Sequence, residues 1–130
     1  MPSSFEDARI RAETEWCASP FVPELSLHLI TPRCRLWAAN ATQLAEVGWP
    51  EPWWAFAWPG GQALARLLLD QPELVAGRTV LSVGAGGAIE TLAAARAGAR
   101  ANANEVAPWA LRGARHYAGS LGLSIALDGR

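Results

Sequence analysis

The sequence predicts an α/β fold: the N-terminal half of a doubly wound parallel sheet, preceded by a β-hairpin and a helical segment. From residue 79 onward, strand-like and helical stretches alternate in the order strand, helix, strand, helix, strand. Right-handed crossovers would place these three strands side by side in a parallel sheet. A glycine-rich turn, VGAGGA, joins the first of these strands to its helix. The length, 130 residues, is that of about one domain.

Residues 1–57 are expected to form an N-terminal helical and hairpin segment that ends in a tryptophan-rich connector. FEDARIRAETEW suits a short helix, and PELSLHLI and RCRLW alternate apolar and polar residues around a Thr-Pro turn signal. That alternation predicts a hairpin, with His28 solvated on its polar side. NATQLAEVG predicts a helix whose N-cap is Asn40 or Thr42.

The connector, WPEPWWAFAWPGG, contains four of the seven tryptophans. So many indole rings in a short loop need burial, because each ring carries a large apolar area. Two interpretations are open at this point: a plug in the core under the sheet, or the wall of a pocket.

Residues 58–130 are expected to form a partial cofactor-binding domain of Rossmann-like topology. GQALARLLLDQPEL predicts a helix, because Leu64, Leu67 and Leu68 recur at helical spacing. TVLSV is the expected first, buried strand, and AIETLAAARAG the helix after the turn. RANANEV is the second strand although asparagine is depleted in strands. PWALRGARHYAGSLG and LSIAL complete the pattern.

Composition excludes several classes of protein. The chain is 51% hydrophobic and 18% charged with a net charge of -1, which disfavours nucleic acid as a ligand. All eleven basic residues are arginine. A P-loop and a Schiff-base enzyme both need a lysine, so both are excluded.

The sequence also predicts no metal site, no membrane span and a cytoplasmic location. Cys17 and Cys34 are too far apart and too isolated to form a metal knuckle, and reduced thiols are expected. The first ten residues lack the apolar core of a secretory signal. The apolar stretch around the connector is interrupted by Trp-Pro-Gly-Gly and by Arg66.

The glycine turn and a later acid favour an adenosine-containing ligand. Gly84 and Gly86 would lie at the carboxyl end of the first parallel strand, where ligands bind in such sheets. Ile89 stands where the dinucleotide fingerprint requires its last glycine, so a nicotinamide enzyme is disfavoured. Glu105 follows the turn by about 20 residues, the position of an acid that accepts ribose hydroxyls.

The stretch PWWAFAWPGGQALARLLLDQPELVAGRTVL resembles the segment before the first sheet strand in the electron-transfer flavoprotein β-subunit lysine methyltransferases and their bacterial relatives. The similarity runs from about Phe21, through VPELSLHL, to the end of the chain. The resemblance implies the seven-stranded class I methyltransferase fold, S-adenosylmethionine as cofactor and a lysine of a protein as substrate.

The resemblance also implies which residues bind the cofactor: Trp58, Gly60, Gly61, Gln62, Ser82, Gly84, Gly86 and Glu105. The first four match a segment that lines the cofactor pocket, which favours the pocket-wall interpretation of the connector. Gly84 and Gly86 match the turn under the methionine moiety, and Glu105 matches the acid that holds the ribose. No catalytic residue is implied; His116 and Tyr117 are minor candidates for substrate contact.

Three positions depart from the family pattern. Ser82 replaces an acid that helps to hold the methionine moiety, a loss of about 1.5–3 kcal/mol. Ala88 replaces a third glycine, which costs roughly 1–2 kcal/mol if the backbone there needs a positive φ. Ala107 replaces a second acid just before the proline.

Family members continue into a fourth strand, so we expect this chain to be a fragment, a shortened product or a decayed copy. An open edge on the first parallel strand would then favour self-association. These departures support an alternative function, a non-catalytic remnant that acts at most as a binding module.

Overall fold

The computed structural model describes residues 5–130, so the first four residues of the predicted N-terminal segment lie outside the described part. The elements run in chain order as α1 (Phe5–Glu13), β1 (Glu15–Ser19), β2 (Val22–Leu29), α2 (Ala41–Glu46), α3 (Pro59–Asp70), β3 (Thr79–Val83), α4 (Ile89–Arg96), β4 (Arg100–Asn104), α5 (Pro108–Leu121) and β5 (Ile125–Asp128). Two short 3-10 turns, Trp53–Ala55 and Pro72–Leu74, flank α3.

The predicted parallel sheet is confirmed. Strands β3, β4 and β5 pair in that order, and both pairings are parallel. Helices α4 and α5 provide the crossovers, so the α/β architecture is compatible with part of a Rossmann-like methyltransferase fold. Strand β4 forms the centre of the sheet despite its two asparagines, because alternate residues Ala101 and Ala103 are small and buried.

One face of this sheet carries the hydrophobic core. Val80, Ala101 and Ile125 point to that face and pack with α3, α4 and α5. Strand β2 packs against these helices, and its Leu25 and Leu27 are fully or almost fully buried in the same cluster. The two segments predicted on either side of residue 57 therefore share one core.

The opposite face of the sheet is open, which makes one prediction wrong. TVLSV was expected to be a buried strand, but the side chains of Leu81 and Val83 are 61% and 76% exposed. Within residues 5–130, β3 is an edge strand and the helices pack only against its other face. Self-association through this edge stays a prediction.

The hairpin exists, but with a different partner strand. Strand β2 pairs antiparallel with β1, which precedes it, and Trp16 lies opposite His28. RCRLW, the expected partner, forms turns instead. The Thr-Pro signal ends β2 rather than reversing it, and β1 is the strand that pairs with β2.

Helix α2 begins as predicted. The Asn40 side chain accepts a hydrogen bond from the Gln43 amide at 2.9 Å, and the Gln43 side chain accepts one from the Asn40 amide at 2.9 Å. This reciprocal capping box satisfies two free donors at the helix start. Helix α3 also forms where the leucine spacing predicts it. Of those three leucines Leu68 is buried, whereas Leu64 and Leu67 are exposed.

His28 is buried, so its predicted solvation is wrong. Its ring lies 5.0 Å from that of His116 and 5.1 Å from that of Trp16. Nδ1 of His28 is 3.1 Å from Oγ1 of Thr14. Burial, with His116 and Arg11 nearby, lowers the pKa of His28 to about 4. The pairing with β1 and the packing of α5 on β2 enclose this imidazole.

The lowered pKa predicts a loss of stability in mild acid. Unfolded histidine protonates near pH 6.5, whereas folded His28 stays neutral until about pH 4. The stabilisation is complete above pH 6.5 and is lost as the pH falls towards 4. Between pH 7 and pH 5 we expect the free energy of unfolding to fall by about 1–2 kcal/mol more in the native chain than in His28→Gln. Urea denaturation at both pH values measures this difference; equal losses would contradict the assignment.

Among residues 5–130, no helix combines the length and the apolar character needed to cross a membrane.

Candidate functional site

The glycine turn lies at the carboxyl end of β3, as predicted. Gly84 and Gly86 have φ values of 63° and 54°, in the left-handed region that favours glycine. The Ala85 amide donates to the Asn104 carbonyl at 3.0 Å, which ties the turn to the end of β4. Helix α4 follows at once, so its first free N–H groups face the turn.

Gly87 needs to be glycine for a different reason, which the sequence pattern did not reveal. Its φ is not positive, but a Cβ there would lie 2.8 Å from the Trp54 carbonyl oxygen. The connector backbone therefore passes directly against the turn. Only the folded arrangement brings these two segments together, so spacing in the sequence could not identify this contact.

Ala88 adopts the strained backbone that the sequence analysis considered. It caps α4 with φ 58° and ψ 26°, is fully buried, and is the only residue with a positive φ in the described chain that is not glycine. A Cβ in this conformation costs roughly 1–2 kcal/mol.

A cavity of about 640 Å³ opens above the turn. Seven of the eight predicted site residues line it: Trp58, Gly60, Gly61, Ser82, Gly84, Gly86 and Glu105. They come from the connector and the start of α3, the end of β3, the turn and the end of β4. The fold thus brings together residues that the sequence places up to 47 positions apart, from 58 to 105.

Gln62 is the predicted residue that does not line the cavity. Its side chain is buried, its Nε2 donates to the Ala57 carbonyl at 2.6 Å, and its Oε1 accepts from the Phe21 amide at 2.9 Å. Both ends of the amide are therefore engaged by backbone groups. Gln62 joins the connector to the hairpin turn and so positions the cavity wall.

The tryptophan-rich connector combines both interpretations left open by the sequence. Trp54 is buried with Trp49, whose ring stacks at 6.0 Å, so this pair forms the core plug. Trp53 and Trp58 are 63% and 50% exposed and line the cavity. Trp58 is held in place because its Nε1 donates to the Trp53 carbonyl at 2.8 Å.

Glu105 contacts the glycine turn directly. One carboxylate oxygen accepts from the Gly86 amide at 2.7 Å, and the other accepts from the Ala107 amide at 3.0 Å. These bonds fix the carboxylate beside the turn, and each oxygen keeps a lone pair for a ligand hydroxyl. The predicted proximity of turn and acid is present in the fold.

Ser82 has an acidic partner that the sequence analysis missed. Its hydroxyl donates to the Glu90 carboxylate, and both residues line the cavity. Glu90 belongs to the first turn of α4, where a negative charge is favoured by the helix dipole. The sequence did contain a signal for Glu90 as a site residue, because it is an acid in the first helical turn after a glycine loop.

The described cavity wall is acidic and aromatic. It contains the carboxylates of Glu51, Glu90 and Glu105 and includes no arginine or histidine. His116 and Tyr117, the minor candidates for substrate contact, are not among its lining residues. The part of the chain that the structure describes has no group of three side chains suited to hold a metal ion. Because its lining combines carboxylates with aromatic rings, the cavity suits a ligand that carries both hydroxyl groups and a positive charge.

The three-stranded parallel sheet, with its glycine turn and the cavity at the strand ends, is compatible with part of a Rossmann-like fold. The chain is 44% identical to the human electron transfer flavoprotein beta subunit lysine methyltransferase over 113 residues, 81% of this chain and 41% of that protein. It is 48% identical to the Danio rerio protein of that name over 87 residues, 66% and 33% of the two chains. A Caenorhabditis elegans homolog is 39% identical over 90 residues, 68% and 36%.

This chain is thus a homologue of the electron transfer flavoprotein β-subunit lysine methyltransferases, and the predicted family resemblance is confirmed. It spans between 33% and 41% of the length of these curated relatives. No family model matches the chain.

Replacing Ala88 by glycine is expected to stabilise the protein. Relief of the left-handed strain, about 1–2 kcal/mol, exceeds the loss of one buried methyl group, about 0.8 kcal/mol. We expect the free energy of unfolding to rise by up to about 1 kcal/mol. Ala93→Gly, at an equally buried alanine inside α4, should instead lower it by about 1 kcal/mol or more. Urea denaturation compares the two, and a loss of stability in both variants would contradict the strain at Ala88.

Proposed function

We propose that this chain carries the S-adenosylmethionine-binding part of a protein-lysine methyltransferase. The observation that carries the proposal is the cavity above the glycine turn, in which Glu105 is fixed beside Gly86. The names of the homologues support methyl transfer to a protein lysine. Under this proposal the three parallel strands belong to the seven-stranded methyltransferase sheet.

The lining residues fit the chemistry of this cofactor. Glu105 offers acceptors for the two ribose hydroxyls, and the glycines leave space for close approach of a ligand to the backbone. Trp53 and Trp58 offer exposed aromatic surface for the adenine ring and for a positive charge. When bound, S-adenosylmethionine supplies the methyl group that a lysine amine accepts.

The contribution of this chain to the reaction is to position groups and to exclude water. An amine must be neutral and aligned with the methyl group, and orientation and desolvation provide most of the acceleration in such a step. The aromatic wall formed by Trp53, Phe56 and Trp58 removes water from one side of the cavity. We assign no proton-transfer role to any residue of the chain.

A binding module without catalytic activity is the second candidate. Ser82 and Ala88 favour it, because the first lacks the expected charge and the second strains the turn. Binding of cofactor with no methyl transfer to the electron transfer flavoprotein β-subunit would support this candidate. A cytoplasmic location likewise stays a prediction.

The proposal predicts micromolar binding of S-adenosylhomocysteine to the purified chain, measured by isothermal titration calorimetry. Glu105→Gln should weaken binding by about 10-fold or more, because hydrogen bonds to a charged acceptor contribute about 1.5–3 kcal/mol. Glu105→Asp keeps the negative charge, so it should bind S-adenosylhomocysteine more tightly than Glu105→Gln and less tightly than the native chain.

Glu73→Gln is the matched control, because Glu73 is exposed and does not line the cavity. It makes the same change of charge and should leave the affinity unchanged. The proposal is wrong if the native chain, folded by circular dichroism, shows no binding at millimolar ligand.

A further inference from the structure

Glu90 occupies a distinct place in the cavity wall. Its carboxylate accepts a hydrogen bond from the Ser82 hydroxyl at the end of β3. The missing side chain of Gly61 leaves room on its other side, since a Cβ there would lie 3.3 Å from Oε2 of Glu90. The carboxylate is thus held between the end of β3 and the start of α3, on the β3 side of the turn.

Glu90 also differs from other acids of the fold in its partners. Glu13, Glu15 and Glu24 each pair with an arginine. Among the residues that the structure describes, none forms a salt bridge with Glu90, and the lining contains no basic side chain to neutralise it. Its one hydrogen-bond donor there is a neutral hydroxyl, so it keeps the capacity to bind a cation.

Glu105 is less suited to that role. Its two oxygens already accept from two backbone amides, so its charge is partly compensated. It also approaches the turn from β4, whereas Glu90 lies beside β3. The cavity therefore has two acidic ends of different character, one suited to hydroxyl groups and one to an ammonium group.

We propose that Glu90 binds the α-ammonium group of the methionine moiety and so takes the place of the acid missing at position 82. This inference rests on the proposed function, because it assumes a ligand with adenosine at one end and an amino acid at the other. In this arrangement Ser82 is a positioning residue, since its hydroxyl orients the Glu90 carboxylate. The departure at position 82 is then a relocation of charge within the site.

Two ligands that share adenosine and a thioether separate the roles of the acids. S-adenosylhomocysteine carries the ammonium group, whereas 5′-methylthioadenosine lacks the amino acid. Glu90→Gln should weaken S-adenosylhomocysteine by about 10-fold or more and leave 5′-methylthioadenosine within about twofold of its native affinity. Glu73→Gln should change neither affinity.

A second test moves the carboxylate from position 90 to position 82, so that the inference does not depend on Glu90→Gln alone. The double variant Ser82→Asp/Glu90→Ser keeps one carboxylate and one hydroxyl with their positions exchanged. We expect it to bind S-adenosylhomocysteine within about threefold of the native chain. Calorimetry measures all affinities, and circular dichroism establishes that each variant is folded.

The outcomes distinguish this inference from the proposed function. If Glu90→Gln leaves S-adenosylhomocysteine binding unchanged, or weakens both ligands equally, the role of Glu90 is overturned and the cofactor site stands. A double variant that binds 5′-methylthioadenosine but not S-adenosylhomocysteine would overturn the claim that Glu90 takes the place of an acid at position 82. If the native chain binds neither ligand, the proposed function fails, and this inference fails with it.

Discussion

The close approach of the Trp54 carbonyl to Gly87 is the contact on which the cavity depends. A Cβ at Gly87 would lie 2.8 Å from that oxygen, so no other residue fits without displacing backbone. The contact joins the connector, which forms the wall, to the turn, which forms the floor. The connector is anchored on its other side, because the Ala55 carbonyl accepts from the Ile30 amide at 2.9 Å just beyond β2. Wall and floor are thus held as one unit.

The charges that line the cavity determine which ligands the connector and the turn can bind together. The described lining contains three carboxylates and no basic side chain. Glu105 is oriented by backbone amides and Glu90 by the Ser82 hydroxyl, so the two carboxylates are positioned before a ligand arrives. Groups held in this way need little reorganisation on binding. The exposed aromatic surface of Trp53 and Trp58, which line the same cavity, suits a ligand that is both planar and cationic.

Local patterns predicted the elements of the fold well, because strand and helix periodicity, caps and glycine turns are local properties. They identified the order from β3 to β5, Asn40 as one of two candidate caps, and Gly84, Gly86 and Glu105 of the cavity wall. The family resemblance, and not a local pattern, pointed to Trp58, Gly60, Gly61 and Ser82, which also line the cavity. They failed where the answer depends on packing. The partner of β2, the burial of His28 and the exposed face of β3 follow from which segments meet in three dimensions. The buried amide of Gln62 and the Ser82–Glu90 pair are contacts of the same kind.

The most direct test of the cofactor site is nuclear magnetic resonance of the chain labelled with ¹⁵N-glycine, titrated with S-adenosylhomocysteine. We predict that the amide signals of Gly60, Gly61, Gly84 and Gly86 shift with saturation, because these residues line the cavity. The signals of Gly77, Gly119 and Gly122, which do not line it, should stay in place. Shifts confined to the distant glycines, or none at saturating ligand, would contradict binding above the turn.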